Sequence, residues 1–149
     1  MEYLSDKLSS KGGKRDVIKN KIILYTIFSA ILFTLFIIFS SLSPLAYSGP
    51  NANQFNSSGM WGSIAFILIA YAIPLMLYAI HPTSAKVIMA IFCTLGLILA
   101  LVSCIVIGIF GYITGTLIAL IGVVTIAIAI CIINTMWFFK AFSRSTNLA

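Results

Sequence analysis

KVIMAIFCTLGLILALVSCIVIGIFGYITGTLIALIGVVTIAIAICIINTMWFFK, Lys86 to Lys140, holds no charged residue between its two terminal lysines. A bilayer hydrocarbon core about 30 Å thick takes roughly 20 apolar residues as helix. The stretch is therefore too long for one span and suits two. Gly111–Gly115, GYITG, reads as the tight turn between them. Toward the N-terminus the same reasoning repeats, because no charge occurs between Lys21 and Lys86. That block is divided by SPLAYSGPNANQFNSSG, Ser43–Gly59, in which two prolines, two glycines and three asparagines mark a loop.

The expected fold is an all-α integral membrane protein, a four-transmembrane-helix bundle. Its spans lie at about 22–42, 61–80, 87–110 and 116–139, with an outer loop at 43–60. A basic tail (1–21) precedes the membrane domain (22–139), and a short tail (140–149) follows it. Composition agrees: 61% of residues are hydrophobic and 8% are charged, against about 25% charged in soluble domains. Gly12-Gly13 is expected to interrupt any helix in the first tail, which reads as disordered. Pro74 lies inside the second span and is expected to kink it, because it has no N–H for the Ala70 carbonyl. HPTSAK, His81–Lys86, reads as a short turn.

Orientation follows from the basic residues. Lys7, Lys11, Lys14, Arg15, Lys19, Lys21, Lys86, Lys140 and Arg144 all fall on one side of a four-span layout. The positive-inside rule then places both termini in the cytoplasm, with the chain multi-pass in a cell membrane. The net charge of +6 is thus an orientation signal and not a nucleic-acid footprint. Basic residues of the tail are also expected to attract anionic lipid. Ala46-Tyr47-Ser48 fits the small-x-small pattern of signal-peptidase sites. The basic and apolar regions before it are longer than an ordinary signal, so the first span is expected to be retained.

The chemistry is mostly excluded. No Asp, Glu, Lys or Arg falls within a span, and such groups mark proton relays and ion paths. The acidic residues are Glu2, Asp6 and Asp16, all in the tail. His81 is the one histidine, and Cys93, Cys104 and Cys131 form no C-x-x-C, so no metal site is expected. No phosphate loop, nucleophile elbow or cofactor motif occurs, and the chain reads as non-enzymatic with no cofactor.

Packing is more legible. Gly96, Ala100, Cys104 and Gly108 recur every four residues in the third span, and Gly111 and Gly115 extend the series. Small residues at this spacing let another helix backbone approach closely. The fourth span is expected to enter this groove by its Ala119, Gly122 and Ala127 side. Asn134 is the strongest polar group near a span interior; an interhelical contact and snorkelling to the interface both remain open.

SSLSPLAYSGPNANQFNSSGMW, Ser40–Trp61, after a basic tail and a first span, resembles a family of small uncharacterised membrane proteins from Bacillus-type bacteria. The resemblance implies a membrane location and a bacterial source, and it brings no activity. The loop lacks the cysteines of tetraspanins and claudins. The expected role is contact with protein or lipid, of an accessory, stress-related or immunity type, with a membrane protein or a second copy as partner. The alternative is an oligomeric transporter or channel component for a neutral or hydrophobic solute.

Overall fold

The computed structural model describes residues 2–49 and 52–142, with the backbone alone described at 2–18, 79 and 82–84. The described chain is helical: α1 Glu2–Leu42, a 3-10 turn Pro44–Tyr47, α2 Ser58–Ile80, α3 Pro82–Thr114 and α4 Leu117–Phe142. Stretches Lys19–Leu42, Ser58–Tyr78, Ala85–Thr114 and Leu117–Phe142 are each long and apolar enough to cross a membrane. Each helix packs on its sequence neighbours, and α4 returns to α1 to close the ring.

Helix ends follow local chemistry. Ser57 caps α2, its hydroxyl accepting from the Met60 N–H at 3.2 Å. His81 alone separates α2 from α3, and Pro82 takes the first turn of α3, where its missing N–H costs nothing. α3 ends at Gly115, whose φ of +68° is the left-handed value that suits a glycine. The Gly115 and Thr116 N–H groups both return to the Gly111 carbonyl.

Several boundaries correct the sequence reading. The tail through Gly12-Gly13 is helical and continuous with the first span. A glycine pair costs about 2 kcal/mol of helix propensity, yet a helix already nucleated by the span extends at little cost. The HPTSAK turn shrinks to His81, since α3 begins at Pro82. GYITG is not a turn: Gly111–Thr114 is the last turn of α3, and the chain reverses at Gly115-Thr116. α4 continues past residue 139 to Phe142. Pro74 lies inside α2, as the sequence places it, and is buried.

The core stacks in three layers along the bundle. At the end nearest the termini Ile22, Tyr78, Ala85, Met89, Cys93 and Trp137 cluster. Phe33, Tyr71, Ala100 and Ile130 fill the middle. Ile107, Leu120 and Val123 close the far end. The outer surface is apolar on all four helices, with Phe28, Phe66, Ile105 and Ile118 among its exposed residues.

Candidate functional site

Hydroxyls in an apolar helix ordinarily bond to the carbonyl one turn back, which satisfies them locally. Thr34, Thr94, Thr125 and Thr135 do this. Ser29 on α1 does not. Its hydroxyl donates to Asn134 Oδ1 on α4 at 2.8 Å and lies 2.9 Å from the Tyr71 hydroxyl on α2. Serine has one proton, already committed to Asn134, so the Tyr71 O–H donates to Ser29. The chain Tyr71 to Ser29 to Asn134 thus joins three helices.

α3 approaches this cluster through a glycine. A Cβ on Gly96 would lie 3.4 Å from Asn134 Nδ2 and 3.1 Å from the Phe33 ring. Asn134 is fully buried, and its Nδ2 has no hydrogen-bond partner. One turn along, the Trp137 indole N–H donates to Thr26 Oγ1 at 3.1 Å, and the Thr26 hydroxyl donates to the Ile22 carbonyl at 2.9 Å. α1 and α4 are therefore tied at two successive levels, by Ser29 with Asn134 and by Thr26 with Trp137.

Beside the cluster, α1 and α2 leave a space between their side chains. A groove of about 410 Å³ opens sideways between them, lined by Thr26, Ala30, Thr34, Leu68, Tyr71 and Leu75 among others. The Tyr71 ring is thus both a wall of the groove and a member of the cluster. The cluster itself consists of two hydroxyls and an amide, Tyr71, Ser29 and Asn134.

The packing stripe is placed unevenly. Gly96, Ala100 and Gly111 are buried, and a Cβ on Gly111 would meet Leu120 at 3.0 Å and the Leu117 Cα at 3.3 Å. Cys104 is half-buried. Gly108 corrects the expectation: nothing lies within 4 Å of its would-be Cβ, and Ile107 takes the interior instead. Gly115 belongs to the reversal and also meets nothing. Of the face assigned to α4, Ala127 is buried, Ala119 is exposed, and Gly122 faces Phe39 of α1, not α3. His81 is exposed at the α2–α3 junction. Ser29, Tyr71 and Thr26 were not singled out by sequence; the usable signal was that the only amide inside the spans needs partners on other helices.

No solved structure matches this chain. An uncharacterised protein from Bacillus subtilis (strain 168), YxaJ, is 38% identical over 125 residues, covering 83% of this chain and 89% of the relative. That agrees with the Bacillus-type affiliation read from the outer loop. A family model described only as a family of unknown function (DUF5391) matches residues 14–146, and so takes in every apolar helix and the polar cluster within them; the chain belongs to that family.

Proposed function

We propose that the four helices cross a cell membrane with both termini in the cytoplasm, and that the protein acts as a non-enzymatic bundle through contacts with membrane protein or lipid. The observation carrying this reading is the inversion of polarity. Large apolar side chains such as Phe66, Ile105 and Ile118 face outward, while Ser29, Thr26 and Asn134 face inward, Ser29 bonded to Asn134 and Thr26 to Trp137. A water-soluble domain rarely exposes contiguous apolar surface beyond a few hundred Å². In lipid the same arrangement is favourable, and buried polar pairs fix which helices meet.

The distribution of basic residues supports the orientation, since none of the nine lies between Lys21 and Lys86 or between Lys86 and Lys140. Anionic lipid is a partner for the basic residues next to the span, Lys19 and Lys21 above all. With α1 continuous, Lys7 lies fourteen residues farther out than Lys21, about 21 Å along the helix. That exceeds a Debye length of about 8 Å, so its attraction to the surface is largely screened. The outer part of the tail is accordingly available to a protein partner or a second copy.

The test is fractionation followed by labelling. The protein should stay with membranes through a carbonate wash. A cysteine at exposed Gln54 should react with an impermeant maleimide in intact cells, and one at Ser145 should not. Extraction by carbonate, or the reverse labelling pattern, overturns the reading.

A second reading is favoured by the lateral groove beside Tyr71. It is passage or carriage of a neutral or hydrophobic solute by an oligomer. Flux of such solutes into proteoliposomes separates it from a role by contact alone.

A further inference from the structure

At the end of the bundle away from the termini lies a second recess, of about 300 Å³, with a different lining. Ser40, Ser41, Ser48 and Asn53 contribute polar groups, and Phe36 and Leu45 contribute apolar wall. We propose that this recess binds a neutral polyhydroxylated ligand the size of one sugar ring.

One hydroxyl has no local use. The Ser40 Oγ is buried and has no partner. Hydroxyls on Thr26, Thr34, Ser63 and Thr94 turn back to the carbonyl four residues earlier. The Ser40 hydroxyl is not bonded in that way, while the Ser40 carbonyl is occupied by the Ser43 hydroxyl at 2.8 Å. Burying a hydroxyl unpaired is unfavourable, and a turn of the Ser40 side chain toward the recess would let a ligand oxygen satisfy it.

The other groups are held in place. Ser48 donates to the Leu45 carbonyl at 2.7 Å and keeps its lone pairs. Asn53 Nδ2 donates to Ser63 Oγ at 3.1 Å, which leaves its second N–H. A Cβ on Gly59 would fall on Asn53 Oδ1, so the amide is seated against bare backbone. The recess thus offers donors and acceptors at short range, fixed by the helix end and the loop.

Charge selects the ligand class. No charged residue occurs between Lys21 and Lys86, so every lining group is neutral. A carboxylate or ammonium would lose water here with no opposite charge to replace it. A sugar ring needs none, and it presents hydroxyls at its edge and C–H bonds on its face, matching serines and amide beside Phe36 and Leu45. The volume sits at the lower end of the range for small-ligand sites, which favours one ring over a chain.

Binding does not depend on the membrane orientation proposed above, which decides only that the recess opens outside the cell. Full-length protein in lipid nanodiscs would be titrated with glucose, followed by saturation-transfer NMR. Saturation transfer is expected at millimolar sugar, and none to glucuronate, its charged counterpart. Asn53→Ala, in the exposed loop, should weaken binding about tenfold. Ser40→Leu should do the same if it folds. Thr125→Ala, on the exposed face of α4, should change nothing. No transfer up to about 20 mM sugar, equal transfer to glucuronate, or an undiminished signal in Asn53→Ala each overturns the proposal.

Discussion

Ser29 on α1 and Asn134 on α4 are joined by a 2.8 Å hydrogen bond across 105 positions of sequence. Interhelical bonds of this kind in lipid average about 0.6 kcal/mol and reach about 1.7. The Ser29–Asn134 pair is buried and extended to Tyr71, so it belongs in the upper half of that range. A double-mutant cycle of Ser29→Ala and Asn134→Ala, unfolded reversibly in mixed micelles, measures it. A coupling indistinguishable from zero would show that α1 and α4 are held by apolar packing alone.

Asn134 also carries a buried Nδ2 without a partner. Replacing both halves of a polar contact by apolar groups is often nearly neutral, whereas orphaning one half is not. Asn134→Leu removes the unpaired N–H and frees Ser29 to bond one turn back to the Tyr25 carbonyl. It should stay within about 0.5 kcal/mol of wild type. Asn134→Ala adds a cavity beside Gly96 and Phe33 and should be worse by about 1–2 kcal/mol. Melting of the two variants side by side decides this, and an Asn134→Leu variant that melts below Asn134→Ala contradicts the cluster as drawn.

The two tryptophans occupy opposite environments. Trp137 is fully buried, and Trp61 is 57% exposed with its indole N–H on Asn56 Oδ1. With Trp61→Phe, the remaining emission should resist acrylamide and should lie to the blue. With Trp137→Phe it should be readily quenched, and stability should fall as the bond to Thr26 is lost. Equal quenching in the two variants would place Trp137 outside the core.

The four long apolar helices were legible because charge is absent from two long blocks, and no folding detail can hide that. Element ends were less so. Gly12-Gly13 and GYITG look like breaks by propensity, but a helix anchored by its neighbours tolerates glycine. Asn134 stood out as an amide among aliphatic residues. Its partners did not, since hydroxyl side chains of one kind or another recur in all four apolar helices and cost little there. The small-residue stripe failed at Gly108 for a geometric reason. Steps of four residues gain about 40° each on a helix of 3.6 per turn. Gly108 is therefore turned about 120° from Gly96, while Ile107 and Gly111 return nearer to that face.

Retention of the first span is open to a direct check. Ala46, in the small-x-small site, is buried, and Pro44–Tyr47 forms a 3-10 turn capped by the Ser43 hydroxyl. A protease would have to unfold that turn to use it. Intact mass of purified protein should match a chain that keeps α1. A mass corresponding to a start at Gly49 would mean that cleavage precedes folding of the bundle.

Glycines of α3 give the sharpest test of packing, because the structure ranks them. Gly111 sits where α3 meets the start of α4, with the Leu117 Cα 3.3 Å from a would-be Cβ. Backbone on the far side of a reversal fixed by Gly115 cannot give way easily. Gly111→Ala should therefore cost about 1–3 kcal/mol, the usual range for overpacking. Gly96 meets the edge of the Phe33 ring at 3.1 Å, and a side chain can tilt, so Gly96→Ala should cost less. Gly108 meets nothing, and there alanine adds helix propensity without contact. Gly108→Ala should raise stability, by up to about 1 kcal/mol. Gly115→Ala meets nothing either, but its φ of +68° makes the substitution unfavourable by about 1 kcal/mol. Thermal melting of the four variants in one detergent gives the order. A Gly108→Ala variant that melts as low as Gly111→Ala would restore the simple stripe of four-residue spacing and would refute the helix rotation described above.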